Sequence, residues 1–175
     1  YVTEKKVADI GTDHAYIPIK LIRDGICERV IATDIKPGPV GAAKRHIEKY
    51  KLSDKIEVRL GGGLNPLEAG EAEQIIIAGM GGEMIEKILT ESEKKAKASK
   101  LILQPMNSQY ELRMFLHKNG YRIVCEDIAA EGKKVYNIII VETGEDIPFK
   151  DDFSYHIPPY LLNNPLFSEF LNKKI

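Results

Sequence analysis

The sequence predicts an α/β fold in which a seven-stranded, mostly parallel sheet ends in an antiparallel strand. Three observations carry the prediction. Short apolar words alternate with amphipathic helical stretches, the rhythm of a parallel sheet built from strand–helix units. Three of those words run into glycine, at Gly11, at Gly61-Gly62-Gly63 and at Gly79-Met80-Gly81-Gly82. The last two strand words follow one another with no helical stretch between them, so the order is five strand–helix units and then a hairpin.

The first strand, Val7-Ala8-Asp9-Ile10, turns at Gly11 and reopens as a helix from Ala15 to Asp24, where Ile17, Leu21 and Ile22 recur at helical spacing. Such a turn leaves backbone N–H groups at a helix start, a place for carboxylate, ribose or phosphate oxygens. A Gly-x-Gly-x-x-Gly loop needs its second glycine for close approach to a pyrophosphate, and here that position is Asp13. A carboxylate repels pyrophosphate and suits a cationic centre or an ammonium group. S-adenosylmethionine carries both. The other reading of Asp13 is a helix cap, a common role for Asp.

The second strand, Arg29-Val30-Ile31-Ala32-Thr33-Asp34, ends in an acid. Asp34 falls about 20 residues beyond the glycine turn, where nucleotide-binding α/β folds place the carboxylate that accepts from ribose hydroxyls. Pro37-Gly38-Pro39 opens the second helix, with Val40, Ala43, Ile47 and Tyr50 on its apolar face and His46 toward solvent. The third strand, Ile56 to Leu60, alternates with period two and meets three glycines, which serve either close approach to a flat ligand or a plain turn. Gln74 to Ala78 is a continuous apolar run, as a central parallel strand requires. The helix after it carries Met84, Ile85, Ile88 and Leu89. Leu101-Ile102-Leu103 is the fifth strand, ending in Gln104-Pro105-Met106-Asn107; its helix, Gln109 to Asn119, stops at Gly120. Tyr121 to Glu126 and Val135 to Glu142 form the hairpin, joined through Glu131-Gly132-Lys133-Lys134. Ligands of open α/β sheets lie beyond the carboxyl ends of the strands, where strand order reverses, so the site is expected among these glycine-rich loops.

With 175 residues, 43% of them hydrophobic and 29% charged, the chain can bury one sizeable core. No stretch is long and apolar enough for a membrane helix, and nothing resembles a secretory signal. Cys27 and Cys125 lack a CxxC context and read as reduced core thiols of a cytoplasmic protein. The four histidines are scattered, so no metal site is expected. A net charge of −1 leaves phosphate binding to a local basic surface. Lys44, Arg45, Lys49 and Lys51 on one helix, or Lys94, Lys95, Lys97 and Lys100 on the loop before a strand, supply one; each also reads as a solvated face. The chain opens at Tyr1 and closes at Ile175 within a helical stretch, so both ends read as cut. Residues 1–149 form the main domain, and 150–175 a linker and the beginning of a helical appendage from about Pro159.

The strand order, the acid-bearing first loop and Asp34 resemble the class I S-adenosylmethionine-dependent methyltransferases. Four words resemble more closely the bacterial tRNA adenine-N1 methyltransferases of the TrmK (YqfN) type, which modify the adenine at position twenty-two of tRNA. They are Ala8-Asp9-Ile10-Gly11-Thr12-Asp13-His14-Ala15-Tyr16, Ala42-Ala43-Lys44-Arg45, Ile77-Ala78-Gly79-Met80-Gly81-Gly82 and Leu101-Ile102-Leu103-Gln104-Pro105. The resemblance spans nearly all of residues 2 to 145. It implies a Rossmann-like fold, S-adenosyl-L-methionine as cofactor, tRNA as partner, and a C-terminal coiled-coil domain of which only the beginning is present.

What the resemblance implies for the site is specific. The cofactor residues are Asp9, Gly11, Asp13, His14, Asp34, Ile35, Gly62, Gly63, Ala78, Gly79, Met80 and Gly81. Asp13 and His14 are the catalytic candidates, the first beside developing positive charge and the second as an orienting or proton-accepting group; a structural hydrogen bond at the helix start is the alternative for His14. Tyr16, Gln104 and Asn107 are expected on the substrate side. Tyr16 and Tyr110 serve as stacking platforms or as core packing. Two positions depart from the family: Gly62 stands where an acid is usual, and Met106 interrupts its Gln-Pro-Asn word.

Enzymes that methylate the exocyclic amine of adenine usually resemble Asn/Asp-Pro-Pro-Tyr after the fourth strand, whereas this chain has Ala78-Gly79-Met80-Gly81 there. Ring-nitrogen methylation is therefore favoured, and Ile157-Pro158-Pro159-Tyr160 reads as a helix-opening linker. The rival classes are a cofactor-binding regulatory module without chemistry and an NAD-dependent oxidoreductase, against which Asp13 counts. No membrane contact and no protein partner is evident. Removal of the helical appendage is expected to spare cofactor binding and abolish RNA binding.

Overall fold

The computed structural model describes residues 1–132 and 134–172. Its elements run β1 (Lys6–Ile10), α1 (Tyr16–Arg23), β2 (Arg29–Asp34), α2 (Pro37–Lys49), β3 (Ile56–Leu60), β4 (Gln74–Met80), α3 (Gly82–Glu91), α4 (Glu93–Ala96), β5 (Lys100–Pro105), α5 (Gln109–Lys118), β6 (Tyr121–Glu131), β7 (Lys134–Thr143), α6 (Phe153–His156), a 3-10 turn (Pro159–Leu161) and α7 (Phe167–Leu171). The strands form one sheet in the order β3-β2-β1-β4-β5-β7-β6. Every ladder is parallel except those of β7 with β5 and with β6, so β7 alone runs against the rest, as the sequence predicts.

The apolar run of β4 fills both faces of this sheet because successive side chains point to opposite sides. Ile75 and Ile77 join one core with Ile85 and Leu89 of α3 and Leu112 and Leu116 of α5. Ile76 joins the other with Ile19 and Ile22 of α1 and Ala43 and Ile47 of α2. Helices thus cover both faces.

The order of five strand–helix units is interrupted once. Between β3 and β4 the chain makes turns only, because three glycines, Pro66 and Gly70 break any helical run. Arg59 clamps this loop: its Nη1 donates to the Pro66 carbonyl at 2.8 Å and its fork holds Glu71 and Glu57. Hydrogen bonding from that guanidinium takes the Glu71 carboxyl down to about 2. Residues 93–96, expected in a loop, form the short α4, and β6 continues past Glu126 to Glu131 because its pairing with β7 persists to the Glu131–Lys134 pair. Lys133 of the expected hairpin connection and residues 173–175 of the expected terminal helix lie outside the described residues.

The chain after β7 folds back on the hairpin, where Leu161 and Phe170 pack on Ile128. One buried side chain ties this end together. Arg113 donates from Nε and Nη2 to the two carboxylate oxygens of Glu126 at 2.7 and 2.8 Å, from Nη2 to Asn137 Oδ1 at 2.6 Å, and from Nη1 to the Tyr155 carbonyl at 2.7 Å. Tyr110 serves the same junction, donating to Asp152 and stacking on His156 at 4.2 Å, and Tyr160 donates to the Ile123 carbonyl. Tyr110 is therefore a packing residue here, not a free platform. Cys27 is buried as expected, but Cys125 is only half-buried. No helix among the described residues is long and apolar enough to cross a membrane.

Candidate functional site

Strand order reverses between β1 and β4, so their carboxyl-end loops part and leave a crevice. A cavity of about 620 Å3 opens there, reaching across the ends of β1 to β4. Its acids are Asp13, Asp34 and Glu91; its apolar walls include Ile35, Met84 and Ile88; its floor is formed by Gly11, Gly61, Gly62, Gly63, Ala78, Gly79 and Met80. Of the expected cofactor residues, Asp9, His14 and Gly81 do not line it.

The first loop is held in a strained form. Asp13 and Ala15 have φ of 49° and 59°, left-handed values that non-glycine residues seldom adopt. Ala15 is the N-cap of α1 and no side chain caps that helix, so Asp13 is not a cap. The loop N–H groups are more engaged than the sequence implies. Gly11 and Thr12 both donate to the Thr33 carbonyl at 2.8 Å, Ala15 donates to the Thr12 carbonyl, and Asp13 donates to Asp34 Oδ2 at 3.4 Å. The Asp13 side chain itself is exposed at the lip of the cavity, 3.9 Å from the ring of His14. Asp34 also accepts from the Lys36 N–H at 2.9 Å, which leaves an ionised carboxylate free lone pairs toward the cavity.

Asp9 lies beneath this loop, buried among groups that do not neutralise it. Burial pushes its carboxyl up to about 6, opposed only by the nearby Thr12 hydroxyl, which makes no bond of ordinary geometry. The charged form is thus favoured less in the folded chain than in the unfolded one. The penalty is absent below the ordinary carboxylate range and complete above pH 6. Asp9→Asn is therefore expected to stabilise the chain by at most about 3 kcal/mol at pH 8 and by nothing at pH 3. Urea unfolding at the two pH values checks this; equal gains at both would contradict it.

The loop after β4 turns at Gly79, whose φ is +76° and whose N–H donates to Gln104 Oε1 at 2.9 Å. Three residues on, a Cβ at Gly82 would stand 2.5 Å from the Ser108 carbonyl oxygen, so only glycine lets α3 start against the turn after β5. Asn107 accepts from the Gly82 N–H through Oδ1 at 3.3 Å. Gln104 and Asn107, expected on the substrate side, thus brace the loops between β4 and β5. Gly62 faces Ile35: an added Cβ would come within 3.1 Å of its Cδ1.

Pattern reading missed Pro39, Asn65, Met84 and Lys87 of the cavity wall, and it misplaced His46 and Tyr50. His46 is half-buried, not solvent-facing. Its Nδ1–H donates to the His14 carbonyl at 2.9 Å, and its ring meets Tyr16 edge-on at 5.1 Å. Tyr50 lies outside the core, 39% exposed. These are contacts between α2 and the first loop, which helical periodicity does not reveal. Among the described residues, no cluster of three or more His, Cys, Asp or Glu is arranged to hold a metal ion.

Residues 1–139 match the family model described as a methyltransferase domain. The tRNA (adenine(22)-N(1))-methyltransferase of Bacillus subtilis is 40% identical over 140 residues, which are 79% of this chain and 59% of that protein, so the chain spans under two thirds of its length. The crystal structure of the B. subtilis tRNA methyltransferase TrmK superposes with a TM-score of 0.89 at 34% identity, over 99% of this chain and 78% of that one. Sp1610 of Streptococcus pneumoniae, solved in complex with S-adenosyl-L-methionine, does so with 0.89 at 37%, over 96% and 79%. With residues 1–139 matched to that family model and the fold superposing along nearly its whole length, the chain belongs to the methyltransferase domain family, in the group of the bacterial TrmK-type proteins.

Proposed function

We propose that this chain transfers a methyl group from S-adenosyl-L-methionine to N1 of an adenine in tRNA, in the cytoplasm, with residues 150–175 opening a helical appendage. The observation that carries the reading is the cavity at the switch point, which sets three carboxylates, Asp13, Asp34 and Glu91, among apolar walls. These residues fit the cofactor: Asp34 suits ribose hydroxyls, the apolar wall with Ile35 and Ile88 suits a flat purine, and Asp13 suits a cationic sulfonium or ammonium. The B. subtilis relative's name and the S-adenosyl-L-methionine complex of the S. pneumoniae neighbour support it.

When bound, the cofactor supplies a methyl group already activated on a sulfonium. The chain's own task is therefore positioning, which contributes roughly 7–11 kcal/mol of barrier lowering where reactants are well aligned. Adenine N1 lies on the Watson–Crick edge, so the chain must receive the base unpaired or turned out of its stack. Asp13, at the cavity lip, places negative charge beside a base that becomes cationic. His14 orients that carboxylate, and Tyr16, 64% exposed, offers a ring face to the base. Gln104 and Asn107 hold the Gly79 and Gly82 turns against which the base is received.

Calorimetric titration separates this reading from an NAD-dependent oxidoreductase, and methyl transfer to tRNA separates it from a cofactor-binding module without chemistry. S-adenosyl-L-methionine is expected to bind with micromolar affinity and NAD+ not at all. Binding of NAD+ alone would overturn the reading.

A further inference from the structure

The first loop does not end in bare solvent. Four rings continue from it across α1 and α2: His14 to Tyr16 at 5.6 Å between centroids, Tyr16 to His46 at 5.1 Å, and His46 to Tyr50 at 5.4 Å. The Arg23 guanidinium closes the row, 5.1 Å from the Tyr50 ring centre. Tyr16 and Arg23 lie seven residues apart on α1, and His46 and Tyr50 four apart along α2 and its C-cap, so the row follows facing sides of two neighbouring helices. It begins beside Asp13, at the lip of the cavity.

Beyond Asp13, four cations stand beside the row, while of the nearby acids Asp24 is paired with Lys20. Arg23, Lys44, Arg45 and Lys49 are exposed, and none is in an ion pair among the described residues. The other basic cluster differs: Lys95 donates to the Leu64 and Asn65 carbonyls, Lys97 pairs with Glu93, and Lys100 with Glu4. Of the two candidate basic surfaces, the one on α2 keeps Lys44, Arg45 and Lys49 out of ion pairs, whereas three of the four lysines of the other are engaged, and the α2 surface is the one beside the row of rings. Exposed rings among unpaired cations are what a single-stranded nucleic acid needs: faces for bases and charges for phosphates.

We propose that the row His14, Tyr16, His46 and Tyr50, with Arg23, Lys44, Arg45 and Lys49, is the docking surface for the unpaired tRNA nucleotides next to the target adenine. The inference rests on the methyltransferase reading and extends it from the reacting base to its neighbours. The rings stack bases leading away from the cavity, and the cations neutralise the phosphates between them. Tyr16 stands at the junction of the two regions.

The test is binding of an unmodified tRNA transcript to the chain saturated with S-adenosylhomocysteine, followed by fluorescence anisotropy over a salt series. Tyr50→Ala is expected to weaken binding by about 5- to 150-fold, the loss of one base stack, with the salt slope unchanged. Arg23→Gln and Lys49→Gln are expected each to lower that slope by about one phosphate contact. S-adenosylhomocysteine affinity, measured by calorimetry, is expected to be unchanged in all three, which a collapse of the loop would not allow. If the wild-type chain binds tRNA and all three variants bind it equally well at every salt concentration, the docking surface is overturned and the methyltransferase reading stands. Failure of the parent reading has a different signature: the wild-type chain takes up neither S-adenosylhomocysteine nor tRNA, which overturns both.

Discussion

Arg113→Met is expected to destabilise the fold by about 3–5 kcal/mol, the cost of leaving a buried carboxylate without its partner. The side chains of Arg113 and Glu126 are both fully buried, and the guanidinium makes four short hydrogen bonds, to β6, β7 and α6. Removing it strands Glu126 and frees the Tyr155 carbonyl, so α6 should detach first. The double change Arg113→Met with Glu126→Leu is expected to cost less than the single one, because no charge then remains in the interior. Urea unfolding of the three chains decides it. A single-variant loss under about 1 kcal/mol, well below that of a broken buried pair, would show that the node does not hold the C-terminal end.

Asp34→Ala has the largest expected effect on ligand binding. Hydrogen bonds to a charged group contribute about 1.5–3 kcal/mol each, so removing this carboxylate should lower S-adenosyl-L-methionine affinity roughly 10- to 1,000-fold. Part of the loss is indirect, since Asp34 also receives the Asp13 and Lys36 N–H groups and so fixes the first loop. Asp34→Asn, which keeps one acceptor oxygen, should fall between wild type and Asp34→Ala. Unchanged affinity in Asp34→Ala by calorimetry would remove Asp34 from the site.

The sheet was legible because its signals are local. The β4 run, the glycines after β1, β3 and β4, and the absence of a helical period before β7 each belong to one stretch of chain. The missing helix between β3 and β4 was harder: Leu64 and Leu67 supply the apolar residues of a helix, but they are drawn into the core by a loop that Arg59 clamps from the preceding strand. Asp34 was readable for a similar reason, as an acid closing a strand about 20 residues past the glycine turn, and Asp13 because it stands where a dinucleotide loop has its second glycine. What escaped was tertiary. The bond from His46 to the His14 carbonyl, the use of Thr33's carbonyl by the first loop, and the bracing of Gly79 by Gln104 join segments about 20 or more residues apart, and no periodicity encodes them. The same holds for Tyr110, whose hydroxyl donates to Asp152, 42 residues away.

The most direct test of the central claim is nucleoside analysis of an unmodified tRNA transcript incubated with this chain and S-adenosyl-L-methionine, digested at neutral pH and separated by mass. The account predicts 1-methyladenosine, its formation weakened in Asp34→Ala and Asp13→Ala. Methyl groups found on the exocyclic amine of adenine, or none at all while cofactor and tRNA both bind, would contradict it.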